Sequence, residues 1–390
     1  MSGDRLARTV SLLGRLIGYP TISADSNLDL ITDLATHLQD CGARVDLFHD
    51  VTGSKANLFA TLGPDRAGGV VLSGHTDVVP VADQDWSSEP FGMRESDGRL
   101  YGRGSCDMKG FIAASVVMAQ EFSAMALHRP IHFAFTYDEE VGCIGASALV
   151  PELQKRGLKP AMAIIGEPTE MRVIEGHKGC CEYTARFSGL EGHGSAPERG
   201  VNAAEYAVRY VSRLLELRTQ LIARVPGSSR FEPPWSTLNI GQISGGVAHN
   251  VIAAKAAVEW EMRPVVQADA DFVKKAIEEY VETELLPAMR AVWSGADIST
   301  EVVGEIAGLE RMDDNAARDL VTGLVGANTA DVVAFCTEAG LFQKMGTSVV
   351  VCGPGSIEQA HMADEFVAVD QLAACLDMLT RLGQSFAVGD

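Results

Sequence analysis

Hydrophobic positions along the chain follow two rhythms. Short unbroken apolar runs, each ending at a polar or glycine-rich turn, occur at VVLSG before His75, IHFAFTY before Asp138, AMAIIG before Glu167 and SVVVCGPG near the C-terminus. Runs of this length without alternation predict strands buried on both faces. Helical spacing lies between them, in DMKGFIAASVVMAQEF, which opens at Asp107, and from Asp364 to Leu382. At the N-terminus Leu6, Val10, Leu13 and Ile17 fall on one helical face, broken by Arg8 and Arg15. Strand alternating with helix predicts an α/β domain, a mostly parallel sheet with helices on both faces.

The second rhythm runs from about residue 181 to 293. Val258, Trp260 and Met262 alternate with Glu259, Glu261 and Arg263, which is the period of a half-buried strand. Helical stretches at 202–218 and 271–290 accompany it. We read residues 181–293 as an inserted α+β domain within a domain made of 1–180 and 294–390, with hinges near GHKGCCEY and WSGAD. PGSSRFEPPW, residues 226–235, reads as a loop. No internal repeat or low-complexity tract interrupts this plan.

Composition narrows the partners. With 390 residues, 46% of them hydrophobic, the chain can bury the core of two domains. A net charge of −20 speaks against nucleic acid and anionic membrane surfaces, which need a basic face. No apolar run reaches membrane-spanning length, and the charged N-terminal helix does not read as a secretory segment, so a cytoplasmic location is expected. The eight cysteines, at 41, 106, 143, 180, 181, 336, 352 and 375, form no CxxC pair, and reduced thiols are expected. Cys180 and Cys181 read as packing residues, because neighbours on a strand face opposite sides.

The chemistry lies where the apolar runs stop. His75 and Asp77 follow the first run, Asp107 sits in GRGSCDMKG, Glu139 and Glu140 in TYDEEVG, Glu167 in IIGEPTE and His361 in PGSIEQAH. Each has an ordinary reading alone: a strand-end hydrogen bond for His75, a helix cap for Asp107, a solvated pair for Glu139 and Glu140, a turn residue for Glu167, a surface histidine for His361. Together they gather two histidines and at least four carboxylates at one sheet edge, the edge at which parallel sheets bind ligands. Uncompensated, that many carboxylates repel one another and lose hydration. Divalent cations remove the conflict, and imidazole with carboxylate suits zinc, with cobalt or manganese as substitutes.

Two ions per subunit fit better than one: His75 and Glu167 on one, Glu140 and His361 on the other, Asp107 bridging. Three ligand carboxylates and a hydroxide balance two dications, and such pairs activate a water for hydrolysis. Asp77 is expected to reach the second ring nitrogen of His75 and fix its tautomer. Glu139, pointing away from its neighbour Glu140, is expected to act as general base.

These motifs resemble a known family, the M20 co-catalytic metallopeptidases and deacylases. GHTDVVP, GRGSCDMKG, DEEVG, GEPT and the late histidine match its ligand blocks in order across essentially the whole chain. Within the family the sequence is most similar to the acetylornithine deacetylases, through HKGCCEYTARFSGLEGHGSAPERGVNA, GGVAHNVIAAKAAVEWEMRP and CGPGSIEQAHMADEFV. The resemblance implies metal binding by His75, Asp107, Glu140, Glu167 and His361, with Glu139 as base. In the inserted domain it implies that His193 and Asn250 hold the carbonyl oxygen and that Arg263 holds the substrate carboxylate, a role its guanidinium fork suits.

The resemblance also implies a homodimer through the inserted domain, with His193 reaching the partner's site. The expected substrate is a small N-acyl amino acid, N2-acetyl-L-ornithine first, cleaved to ornithine and acetate in arginine biosynthesis. Another M20 amidohydrolase, a succinyl-diaminopimelate desuccinylase or a broad N-acyl amino acid hydrolase, is the alternative. A non-catalytic binder is a third reading, against which the intact base and ligand set speak. HMADEF replaces a lysine-proline associated with the subgroup, and Cys336 in FCTEAG stands where glycine is commoner.

Overall fold

Apolar runs that end at polar turns become adjacent strands. In the computed structural model, which describes residues 2–227 and 229–387, the chain falls into two units, Met1–Gly176 with Arg311–Val332 and Thr337–Asp390, and His177–Glu310 with Val333–Cys336. In chain order the first unit supplies α1 (Ser2–Ile17), α2 (Leu28–Asp40), β1 (Arg44–His49), β2 (Ala56–Leu62), β3 (Val70–His75), β4 (Arg94–Ser96), β5 (Arg99–Tyr101), α3 (Lys109–Ser123), β6 (Ile131–Thr136), α4 (Ile144–Lys155), β7 (Met162–Pro168) and β8 (Ile174–His177). The second supplies β9 (Cys180–Ser188), α5 (Ala203–Ile222), β10 (Thr237–Gly245), β11 (Lys255–Arg263), α6 (Gln267–Tyr280), a π-helical turn Val281–Leu285, α7 (Leu286–Val292) and β12 (Asp297–Ile306). The chain then returns through α8 (Ala316–Val325), β13 (Asp331–Val333), α9 (Ala339–Gln343), β14 (Ser348–Gly353), β15 (Phe366–Ala368) and α10 (Val369–Ala387).

The first unit is built on an eight-stranded sheet of order β1-β2-β6-β3-β7-β14-β8-β13. Its centre, β6, β3, β7 and β14, is parallel. β3, β6 and β7 are buried at every position, as continuous apolar runs covered by helices require. α3 is buried along most of its length and packs on α1 and α10. Gly166 lets α3 come close: a Cβ there would meet the Phe111 ring at 2.0 Å, and the next residue is Glu167. β15, β5 and β4 form a small antiparallel sheet that anchors the segment after His361.

The second unit is a four-stranded antiparallel sheet, β10-β11-β9-β12. β11 alternates as expected, with Val258, Trp260 and Met262 buried beneath α5 and α6, which supply Tyr210, Leu214, Leu217, Val273 and Ile277 to the same core. The other sheet face is largely exposed.

Three sequence expectations move. The second unit does not end at 293: β12 pairs with β9 along its length, so the unit extends to Glu310. The stretch 271–290 is not one helix but α6, a π turn and α7. The final helix starts at Val369 rather than Asp364, because Phe366–Ala368 are taken up by pairing with β5. Residues 226–235 form a loop as far as they are described, Ser228 lying outside the described residues. None of the eight cysteines is disulfide-bonded. Cys181 joins the helix-side core while Cys180 groups with Glu182 and Glu261.

Candidate metal centre

The candidate ligands converge because β6, β3 and β7 are neighbours whose carboxyl ends point the same way. His75 closes β3, Glu139 and Glu140 occupy the turn after β6, Glu167 lies near the end of β7, and His361 lies in the loop after β14. Asp107 sits in the turn before α3. It does not cap that helix, whose N-cap is Met108.

Asp107 stands between the two histidines. Its Oδ1 lies 2.9 Å from His75 Nε2 and its Oδ2 3.3 Å from His361 Nε2. Glu167 Oε1 is 3.7 Å from His75 Nε2 on one side, and Glu140 Oε2 is 3.0 Å from His361 Nε2 on the other. One carboxylate thus addresses two half-sites, each completed by one histidine and one glutamate. His361 is held with a left-handed backbone, φ 62°, as are Asp138 and Asp364 beside the cluster, at 53° and 55°. Non-glycine residues adopt that region at a cost, and such residues cluster at functional sites.

The Glu139 carboxylate lies within 4.8 Å of ligand atoms of His75 and Glu167, while Glu140 groups with His75 and Asp107. Asp77 acts differently from expected. His75 Nδ1 donates to the Asp77 main-chain carbonyl at 2.9 Å, whereas the Asp77 carboxylate is 3.6 Å away, beyond a hydrogen bond. That carboxylate instead accepts the backbone N–H groups of Glu139 and Glu140, at 3.0 and 3.2 Å, and the Ser23 hydroxyl at 2.7 Å. The Nδ1 contact is still fixed, but by backbone, and it leaves Nε2 as the ring nitrogen directed at Asp107. The side chain holds the Glu139–Glu140 turn.

The electrostatics state the problem that cations solve. Burial, then the neighbouring carboxylates, push Glu139 and Glu167 well above the usual carboxylate range. Glu140 is raised by burial and by Asp107. Asp107 is held low, against its burial, by the hydrogen bonds of His361 and His75. Those hydrogen bonds raise His361 to about 10, and the carboxylates carry His75 up despite its burial. Without cations the cluster therefore holds protons, which ligation displaces. Glu167 Oε1 is buried with no hydrogen-bond partner, an orphan acceptor directed at this cluster. The donor set fits a pair of divalent cations.

The other candidates lie in the second unit. His193 and Asn250 sit on two exposed loops joined by a bridge between His193 and Val251 and by Gly194 N–H donating to the Asn250 carbonyl at 2.8 Å. His193 Nδ1 meets Ser195 Oγ at 2.7 Å. Arg263 is at the far end of β11, where Nε and Nη2 both donate to Glu261 Oε2, at 3.0 and 2.8 Å. The structure therefore brings His193 and Asn250 together, while Arg263 is the last residue of β11.

With this geometry in view, the pattern of Peptidase family M20/M25/M40 matches residues 71–385, which include every ligand candidate. The chain belongs to this family. It is a metal-dependent hydrolase. It is 36% identical over 372 residues to an acetylornithine deacetylase of Shigella sonnei (strain Ss046), covering 93% of this chain and 94% of that one. Its fold is similar to an M20 family metallo-carboxypeptidase of Sulfolobus solfataricus, with a TM-score of 0.74, 15% identity and coverage of 97% and 99% of the two chains. It is also similar to a dinuclear metal-binding peptidase of the M20 family from Bacillus subtilis, with a TM-score of 0.66, 15% identity and 98% of each chain covered.

Three supporting residues of this M20 site escaped the sequence reading. Glu365, fully buried, accepts from the backbone N–H groups of Cys106 and Asp107 at 2.8 and 3.0 Å with Oε1, and from Gly104 N–H and Arg103 Nη1 at 2.9 and 2.8 Å with Oε2. It thereby ties the Asp107 turn to the His361 segment. Glu338 accepts the Ser73 and Thr136 hydroxyls, at 2.6 and 2.8 Å, beneath the ends of β3 and β6. Lys109, buried and lowered to about 7 by that burial, donates to the carbonyls of Leu16 and Tyr19 and fixes the end of α1 beside the Asp107 turn. Glu365 had a signal, an acid four residues after a candidate ligand histidine.

Proposed function

We propose that the chain hydrolyses the acetyl amide of N2-acetyl-L-ornithine, giving L-ornithine and acetate, with two zinc ions per subunit, as a cytoplasmic enzyme of arginine biosynthesis. The division of Asp107 between His75 and His361 carries the hydrolytic part of this reading. The 36% identity to an acetylornithine deacetylase carries the substrate. His75 and Glu167 would hold one ion, Glu140 and His361 the other, and Asp107 both. Bound there, the ions supply Lewis-acid polarisation of the amide carbonyl and acidify the attacking water.

Glu139 takes the proton of that water and delivers it to the leaving amine. Its burial and neighbours raise its proton affinity, which suits a group that must hold a proton between two steps. Asp77 fixes the Glu139 backbone, so the base is positioned by its main chain. Arg263 pairs with the substrate carboxylate, exchanging its bond to Glu261 for a two-pronged one. His193 and Asn250 donate to the oxyanion.

A homodimer is part of this reading: a complete site would take Arg263 from one protomer and His193 with Asn250 from its partner. α5 presents exposed Val208, Leu215 and Ile222 at seven-residue spacing, and β10 is an edge strand bearing exposed Ile243, surfaces suited to that pairing. Among the described residues no helix is long and apolar enough to cross a membrane.

The test is an assay of zinc-loaded protein against acetylated, succinylated and longer N-acyl amino acids. Turnover of N2-acetylornithine above the rest is expected. Preference for succinylated substrates would transfer the assignment to a desuccinylase, a reading the altered HMADEF segment keeps in play, and absence of turnover would leave a binder.

A further inference from the structure

The two histidines of the metal centre are held in different ways. His75 closes a buried strand and its side chain is 1% exposed, whereas the His361 side chain is 52% exposed and lies in the loop after β14. Packing therefore does little to aim the His361 ring, whose Nε2 faces Glu140 and Asp107. Its direction is left to the main chain, and that main chain is in the left-handed region, φ 62°. A residue with a β-carbon keeps this conformation only where its surroundings impose it.

One imposing group comes from the loop between β3 and β4. Gln84 Nε2 donates to the His361 main-chain carbonyl at 2.7 Å. Gln84 Oε1 accepts from Trp86 Nε1 at 3.2 Å and from Arg103 Nη2. An indole N–H and a guanidinium can only donate, so turning the amide over would set its NH₂ group against two donors. The donor end is thereby kept on His361. Arg103 is fixed in its turn: it is 1% exposed, Nη1 donates to Glu365 Oε2 at 2.8 Å and to the Met362 carbonyl at 3.3 Å, and its guanidinium lies 5.0 Å from the centroid of the Trp86 ring. Farther along the same loop, the Ser87 N–H and hydroxyl donate to Asp364 Oδ1 at 3.0 and 2.9 Å. The loop thus straps both ends of segment 361–364, and Gln84 is where the strap meets the candidate ligand. All of these residues belong to the first unit.

We propose that Gln84 is a positioning residue for the half-site of Glu140 and His361, its amide donor holding the His361 backbone so that Nε2 faces a cation there. The other half-site does not depend on it, since His75 is oriented by the Asp77 carbonyl. This inference rests on the reading of His361 as a ligand.

The test is a calorimetric titration of the metal-free full chain with zinc. His361→Ala identifies the binding step that belongs to the Glu140–His361 half-site. Gln84→Met should weaken that step about 10–100-fold, the scale of groups that orient ligands, and leave the other step in place. Gln84→Glu keeps an acceptor for Arg103 and Trp86 and removes only the donor, so it should weaken the step at least as much. In the His361→Ala background neither change should alter the binding that remains. Full affinity in Gln84→Glu, equal losses at both steps, or a further loss on top of His361→Ala would overturn the inference while leaving His361 a ligand. Zinc binding that His361→Ala does not change would remove the ligand assignment itself, and the inference with it.

Discussion

The two units present their candidate residues in opposite ways. At the strand ends of the first unit, His75 and Asp107 are buried and Glu140 and Glu167 are drawn into the same ion-pair cluster. Glu365, Glu338 and Asp77 hold the backbone and strands beneath them. In the second unit, His193 and Asn250 ride exposed loops, and Arg263 is occupied by an acid of its own strand. A buried cluster of like charges keeps its shape only if the fold dictates it, so its geometry exists before substrate arrives. Exposed loop residues cost little to place and little to move, so they suit contacts completed by something that comes to them.

That contrast can be broken. Glu139→Gln should lower the rate by about 10²–10⁴-fold while both metals stay bound, because it removes a base and not a ligand. Kinetics with metal analysis check it, and near wild-type turnover would remove Glu139 from the mechanism. His193→Ala should cost roughly 10²–10³-fold with metal content untouched, as loss of an oxyanion donor does. Mixing inactive His193→Ala and Glu139→Gln chains under subunit exchange should then restore activity, since one mixed site pairs an intact base with the partner's intact histidine. Failure to recover would place His193 in its own chain's site or in none.

Smaller effects sharpen the comparison within the first unit. Glu365→Gln turns an NH₂ group toward N–H donors that now meet a carboxylate, and should weaken metal affinity about 10–100-fold, the scale of residues that orient ligands. Calorimetric titration of zinc reads this directly. Asp77→Asn should lower the rate more than the metal affinity, because the His75 contact is to backbone while the carboxylate holds Glu139; equal losses in both would restore the simpler view of Asp77 as a histidine partner.

A separate effect, on stability, concerns pH. Burial lowers His132 in the first unit and His177 in the second to about 4. Each binds a proton more readily unfolded than folded, so stability is present above about pH 6.5 and is lost as pH falls toward 4, by on the order of 3 kcal/mol per histidine at most. Denaturant midpoints of wild type and His132→Gln should converge across that window, and parallel curves would contradict it.

Much of this was readable from the sequence, for reasons that differ by element. The clustering of the candidate ligands was legible because buried parallel strands announce themselves as apolar runs, and whatever follows such a run gathers at one edge. β11 was legible through its alternation. β12 was not: DISTEVVGEI is exposed at most positions, so no apolar periodicity marks it, and the boundary was drawn too early. The roles of Glu365, Glu338 and the Asp77 carboxylate depend on backbone N–H groups and hydroxyls brought near by tertiary structure, which no local pattern encodes.

The place of β14 sets the order in which the molecule can be completed. It pairs with β7 on one side and β8 on the other, yet the whole second unit is synthesised before it emerges. His361 and Glu365 come later still. A nascent chain therefore carries Asp107, Glu139, Glu140 and Glu167 as solvated acids, without the second histidine or the clamp on the Asp107 turn. Pairings of such long range form slowly.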